Sequence, residues 1–498
     1  MTRNDIWNIH AVAAFISLSG IFFGLDTGAI GPITVMPQFL ETFGKFRNHA
    51  IQGALVATIL FSASVASFFA GALSDKISRR RTIMVGALTA AIGSAIEASS
   101  VKLWMLVVGR LVAGAGEGLF LGPCGVYLIE ISPANVRGKI TTMLQLFITI
   151  GIASGYFISY GTVKLSNSFS WRTPFIVQSV VAFTLAAGME RLPFSPRWLL
   201  LVGRNEEAFE VMEQFDRNGV EREKAELLAR QEADSTDATL RETFRDSTTR
   251  WKTILAIFLM GMQQLSGIDA VLYFAPLIFQ QAGLNSRNAS FLASGITGIV
   301  LVVVTIPAQL YLMDRWGRRP SIIWGGFSMG LCMLIIGSLY ASGGSKTTAG
   351  KWTIISLIYV FTIAFSITWA VVLKLFIIEV QPNRTRAIAS TLSHSSNWIV
   401  NTLVALTTPL FLAKSPSGPY FLFAACLLLT SIVCVLYVPE TLGRSLNEVD
   451  QVWNERQEKT SHLLAKMQEK TKWSKSESST IRTEEIGLER IESAATAH

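Results

Sequence analysis

The stretch Glu130-Ile-Ser-Pro-Ala-Asn-Val-Arg137-Gly138 returns much later in the chain as Glu379-Val-Gln-Pro-Asn-Arg-Thr-Arg386-Ala387, with Glu, Pro and Arg at the same spacing. Upstream of each copy lies a second shared signature, Asp75-Lys-Ile-Ser-Arg79-Arg80 in the first half and Asp314-Arg-Trp-Gly-Arg318-Arg319 in the second. Both pairs fall in short breaks between long apolar runs. A chain that repeats its charged connectors in order, about half its length apart, is expected to be two copies of one membrane bundle, which is the sequence mark of a transporter.

Composition points the same way. Of 498 residues 50% are hydrophobic and only 16% charged, a balance that does not read as soluble. Apolar stretches of about 18 or more residues recur, each long enough to cross about 30 Å of hydrocarbon. The net charge of +8 sits mostly in short basic clusters beside those stretches, in a linker and in a tail. That pattern suits cytoplasmic loops and argues against a nucleic-acid partner. The four cysteines, Cys124, Cys332, Cys426 and Cys434, lie in or beside apolar segments without metal-ligand spacing and read as packing residues. No cleavable signal peptide is expected, because the first eight residues are polar and the apolar run after them is long and contains Asp26. No nucleophile–base constellation, metal cluster or phosphate loop is evident, so neither an enzyme nor an ATP-driven pump is expected, and no cofactor or metal.

Twelve spans are predicted, at about 9–32, 51–72, 82–100, 104–128, 139–161 and 172–192, then 252–282, 290–312, 321–342, 352–378, 388–412 and 419–438. The domain reading is a six-helix bundle over 1–192, a cytoplasmic linker over 193–250, a second bundle over 251–440 and a cytoplasmic, largely disordered tail over 441–498. Within the linker, Asn205-Glu-Glu-Ala-Phe-Glu-Val-Met-Glu-Gln-Phe places apolar residues at helical spacing, so short amphipathic helices are expected. The loops after spans 2, 4, 8 and 10 hold the Arg-rich repeats, and the linker carries nine more Lys or Arg. Opposite loops also hold Lys45, Arg47 and Lys346, so the bias is moderate; it puts both termini in the cytoplasm and the sequon Asn288-Ala-Ser outside.

At the end of span 2, Asp75 can pair with Arg79 and Arg80, and Arg can fork onto Glu130 or Glu379. Such pairs would close the cytoplasmic side in one state and break in the other; the plainer alternative is an anchor that only fixes orientation. Two matched copies favour switching.

The chain at this point resembles the sugar porter family of the major facilitator superfamily, and is similar to its fungal members. The motifs that carry the resemblance are Gly71-x-x-x-Asp75-x-x-x-Arg-Arg, Gly109-Arg110-x-x-x-Gly114-x-Gly116-x-Gly118, Tyr127-x-x-Glu130-x-x-Pro133-x-x-x-Arg137-Gly138, Ser195-Pro-Arg197-Trp198-Leu, Gln263-Gln264-x-x-Gly267, Asp314-x-x-Gly-Arg-Arg and Pro439-Glu440-Thr441-x-Gly443. They cover nearly the whole chain, to about Glu448. The resemblance implies an all-α membrane protein with twelve transmembrane helices in two pseudo-symmetric bundles, rocking about a midplane sugar site. It also implies a cytoplasmic gate built from Asp75, Arg79, Arg80, Glu130, Arg137, Arg197, Asp314, Arg318, Arg319, Glu379, Arg386 and Glu440.

Asp26 is the only ionisable residue in the body of span 1, and a buried acid there is costly unless paired or protonated. Arg110, at the start of a Gly-rich span that permits close helix approach, is its natural partner. A cation that comes and goes would make Asp26 take up and release a proton, whereas a static pair would do nothing. In the resembled family an acid at this position marks proton-coupled symporters.

A sugar needs amides for its hydroxyls and an aromatic surface for its C–H face. Spans 5, 7 and 11 supply Gln145, then Gln263, Gln264, Asp269 and Tyr273, then Asn397 and Trp398. The resemblance puts Gln145, Gln263, Gln264 and Asn397 on sugar hydroxyls, with Phe23 and Trp398 flanking the ring. Several positions depart from the family. Asp269 stands where Asn is usual, and the usual Trp-Gly-Pro-x-x-Trp-x-Tyr of span 10 reads Trp369-Ala-Val-Val-Leu-Lys374-Leu-Phe376. The Gly-Pro hinge is gone and Lys374 replaces an aromatic. Lys374 could snorkel, since Glu379 is only about 7 Å further along the axis. Otherwise it faces the cavity, pairs with Asp269 or receives an anionic solute. Ser78 for Gly, Gly125 for Pro and Phe194 for Glu are smaller departures that bear on the gate.

The expected function is import of a monosaccharide (hexose or pentose) with a proton by a monomeric transporter, placed in the plasma membrane and contacting only solute, proton and lipid. The alternatives are a sugar acid or polyol as solute, and a non-transporting sugar sensor.

Overall fold

The computed structural model describes residues 8–44, 48–132, 137–215, 240–284, 286–312, 315–382, 385–444, 448–449 and 451–457, which are helical with no strand among them. Among the described residues, twelve helices of 20 to 33 residues are long and apolar enough to cross a membrane, against the roughly 20 residues that about 30 Å of hydrocarbon requires. Spans 1–6 are Ile9–Thr34, His49–Ile77, Arg79–Ser99, Leu103–Ile131, Thr142–Thr162 and Phe169–Met189. Spans 7–12 are Ser247–Tyr273, Asn288–Leu312, Arg318–Ala341, Thr348–Val380, Ile388–Lys414 and Gly418–Tyr437.

The two sixes pack alike. In the first half span 4 lies on spans 2 and 3, span 3 on span 6, and span 1 on span 5; in the second, span 10 lies on spans 8 and 9, span 9 on span 12, and span 7 on span 11. Between the halves, span 2 packs on span 11 and span 5 on span 8. Adding six to each of 2 and 5 turns one interface into the other, so the repeat read from the connectors is a pseudo-twofold in space. The outer surface carries Phe69, Trp104, Val180 and Trp324, each more than half exposed, as expected where the neighbour is lipid rather than water.

The connector motif is tighter than expected. The Asp75–Arg80 segment is not a loop: span 2 runs to Ile77, span 3 starts at Arg79, and only Ser78 stands between them with φ +98° and ψ +154°. That region is nearly glycine-only, and holding a serine there costs about 1–3 kcal/mol. Its hydroxyl recovers part of this by capping the Arg81 amide at 3.2 Å.

At the end opposite the connectors the halves are sealed. A Cβ on Gly31 of span 1 would stand 2.1 Å from the Tyr273 carbonyl oxygen of span 7, and the Tyr156 hydroxyl donates to the Leu272 carbonyl at 2.6 Å. Ile30, Phe39, Trp171, Tyr273 and Phe279, drawn from both halves, are the members at this end of a buried cluster that runs through the molecule. Two spans break near mid-depth. Span 7 breaks at Gly267, which adopts φ +86°, and span 10 breaks at Thr368, whose hydroxyl donates back to the Ala364 carbonyl at 2.6 Å. Span 10 thus breaks without a Gly-Pro pair.

Candidate translocation site

Polar side chains gather between the halves at mid-depth, and their exposure shows where the space leads. His394 is exposed, while Gln145, Asp269, Lys374, Asn397 and Trp398 are half-buried, although all belong to membrane-spanning helices. With the opposite end sealed, this cavity opens toward the connectors.

Its wall is an amide network. Gln264 Nε2 donates to Asn397 Oδ1 at 2.9 Å, and Asn397 Nδ2 donates to Gln263 Oε1 at 3.2 Å. Gln263 Nε2 donates to the Trp369 carbonyl at 2.8 Å, using a backbone oxygen next to the break in span 10. Asn401 Nδ2 donates to the Tyr273 hydroxyl at 3.2 Å. Gln264 Oε1 and Asn401 Oδ1 are buried acceptors with no hydrogen-bond partner among the described residues, and a hydroxyl donor would satisfy them. Phe23 from the first half meets Trp398 from the second edge to face, centroids 6.0 Å apart, so two rings frame the gap.

The structure removes the snorkelling reading of Lys374. Its Nζ donates across the gap to Gln145 Oε1 at 3.3 Å, and it interacts electrostatically with Asp269 rather than turning toward Glu379. Desolvating an ammonium is offset here by an amide oxygen and a nearby carboxylate, which the lipid side of the helix cannot supply.

Next to the cavity, wholly inside the first half, Asp26 and Arg110 form a two-pronged pair at 3.2 and 3.1 Å. Arg110 is 0% and Asp26 4% exposed. Arg110 Nε also donates to the Leu55 carbonyl at 2.9 Å, which fixes the guanidinium plane. Phe23 and Asp26 are three residues apart on one helix, so the ring at the gap and the acid behind it move as one body.

At the connector end, Arg79 pairs with Asp75 at 2.6 Å and with Glu130 at 3.1 Å, and Arg318 pairs with Glu379 at 3.1 Å. Each of these pairs lies within one half and is formed while the cavity opens on this side. In the second half, Glu440 accepts the amides of Arg318 and Arg319 at 2.8 and 3.2 Å, capping span 9. In the first half Phe194 takes the corresponding place, stacks on Trp198 with centroids 5.2 Å apart, and lies 4.2 Å below the Arg80 guanidinium. Cation–π contact replaces a carboxylate there, and Ser195 donates to Glu130 beside it. Arg197 stands exposed. Asp314 and the side chains of Arg137 and Arg386 lie outside the described residues. Asn288 is exposed, in the first turn of span 8, with Ser290 of its sequon buried.

Sequence reading passed over four polar residues. Asn401 follows Asn397 by one helical turn, a signal that was available. His394 precedes it by nearly one turn. Glu97 and Glu117 are ionisable groups inside apolar runs, the same signal that singled out Asp26, and both are buried in the first half at 0% and 1% exposure.

A hexose transporter of Saccharomyces cerevisiae is 30% identical over 475 residues, covering 90% of this chain and 86% of the relative. A quinate permease of Neurospora africana is 29% identical over 487 residues, covering 90% and 89%. A high glucose sensor of Saccharomyces cerevisiae is 32% identical over 474 residues, covering 91% and 61%. The inward-open xylose transporter XylE of E. coli superposes with a TM-score of 0.74 at 22% identity, over 89% of this chain and all of that one, which establishes the major facilitator fold. The model of the sugar (and other) transporter family matches residues 12–453, so the chain belongs to that family, the sugar porters of the major facilitator superfamily.

Proposed function

We propose that this protein is a secondary transporter that carries a monosaccharide together with a proton by alternating access. The observation that carries the reading is the buried Asp26–Arg110 pair one helical turn from a ring that lines an amide-walled cavity between the halves. A titratable acid and a hydroxyl-binding wall on the same moving helix are what coupling requires. With the basic connectors on the cytoplasmic side, this cavity faces inward, and the proton arrives from outside when the sealed end opens. Uptake of a panel of hexoses, pentoses, polyols and sugar acids in a transport-deficient host is the test. At least one neutral sugar is expected to accumulate, and an uncoupler to bring its internal level down to the external one. Binding without uptake of any solute would favour a sensor, as one relative is a high glucose sensor.

A second reading concerns the solute's charge, and Lys374 favours it. An ammonium reaching into the gap beside Gln145 makes a carboxylate-bearing solute less costly to desolvate. It also removes the aromatic surface the family usually offers a sugar, worth about 0.5–1.5 kcal/mol. Quinate, the solute named for one relative, is an acid of this kind. If Asp269 neutralises Lys374, neutral sugars remain the solutes. The comparison that separates them is glucose against a sugar acid, in the wild type and in Lys374→Trp. A cavity that uses the ammonium should lose preference for the acid about tenfold in the variant, and equal preference in both proteins ends the anionic reading.

A further inference from the structure

Two carboxylates meet one guanidinium inside the first half, and a third lies two turns along the same helix. Asp26 comes from span 1, Glu97 from span 3 and Glu117 from span 4, the helix that also carries Arg110; from span 6, Gln178 adds an amide 3.5 Å from Asp26. Glu97 is pressed against span 4 so closely that a Cβ on Gly109 would stand 2.7 Å from its Cγ. This packing holds it level with Arg110, with Oε2 3.5 Å from the guanidinium Nη1. Neither Glu97 oxygen has a hydrogen-bond partner among the described residues, and neither does Glu117 Oε1. A fully buried carboxylate is expensive unless a charge compensates it. For Glu97 the positive group within ion-pair reach is Arg110. Glu117 lies seven residues from Arg110 on the same helix and forms no ion pair with it among those described.

Such an arrangement answers a difficulty in the symport reading, on which this inference rests. If Asp26 were the sole partner of Arg110, protonating it would strand a bare guanidinium in a low-dielectric interior. The same attraction would hold the proton off Asp26. We propose that Glu97 is the resident counter-ion of Arg110, keeping the guanidinium paired when Asp26 takes its proton and lets go. Glu97 then acts through Arg110 and Asp26 rather than on the solute.

Glu97→Gln removes a like charge from beside Asp26, so proton loading needs a more acidic exterior. The midpoint of uptake against external pH should move to the acid side by about one unit or more. Glu97→Asp, with its carboxylate about one methylene farther from Arg110, should fall between the two. Solute counterflow, which needs no net proton movement, should persist in both. A residue that merely packs the helices would lower uptake equally at every pH, and an unmoved midpoint in both variants overturns the assignment. Should Glu97→Gln not reach the membrane, the midpoint of Glu97→Asp decides alone. Wild-type uptake indifferent to pH and to uncouplers would instead bring down the symport reading, and this assignment with it.

Discussion

Asp26→Asn should abolish uphill accumulation while sparing exchange. One proton moved per solute lets a one-unit pH difference sustain about a tenfold concentration ratio, since one unit corresponds to about 1.36 kcal/mol. An amide at position 26 keeps the shape but cannot titrate, so the ratio should fall to about one. Arg110 loses its two-pronged partner at 3.1 and 3.2 Å but keeps Glu97 at 3.5 Å and the Leu55 carbonyl at 2.9 Å. The guanidinium is therefore not stranded, and the variant should still fold and exchange labelled for unlabelled solute. Accumulation undiminished and still sensitive to uncoupler would remove Asp26 from the mechanism. Loss of exchange as well would make the pair structural.

The repeat was legible because charge at a membrane boundary cannot drift: Glu130 and Glu379, Arg79 and Arg318 each have to meet water and one another, so their spacing survives in the letters. Span edges were less so. Span 2 was expected to end near 72 and continues to Ile77, because Ser74, Asp75 and Lys76 are polar yet still inside the helix, where its last turn emerges into the interface. Site residues divide by the same logic. The Gln263–Gln264 pair and Asn397 stood out as amides in apolar runs, and the structure joins them directly. Lys374 could not be oriented from sequence, since a helix offers its residues every direction and only the packing of the other half puts Gln145 opposite. Glu97 was visible as a charge but not as a partner of Arg110, because spans 1, 3 and 4 have to be assembled before Asp26, Glu97 and Arg110 meet. The connector pairs carry a subtler lesson. They were expected to break when their end opens, yet Arg79–Glu130 and Arg318–Glu379 are formed beside an open cavity, since each lies within one rigid half. Their effect on the two-state equilibrium has to act through what each half presents to the other.

The sealed end offers the most direct control of that equilibrium. Gly31 faces the backbone of span 7 at a distance no side chain can share, with a Cβ placed 2.1 Å from the Tyr273 carbonyl oxygen. That oxygen belongs to the backbone and cannot rotate away, so any substitution must push spans 1 and 7 apart. Gly31→Leu therefore penalises the state described here by roughly 1–3 kcal/mol of overpacking. The state in which this end parts has no such clash, so the population should shift toward it by about 5- to 150-fold. Uptake should fall at least about tenfold, while solute offered from outside still binds. Gly31→Ala, which adds the Cβ alone, should fall between. A cysteine placed at 394, exposed to the cavity in this state, gives the readout: its labelling from the connector side should drop in parallel with uptake. Normal transport and unchanged labelling in both variants would mean that spans 1 and 7 slide past the added carbon, and the contact at Gly31 would not be the seal.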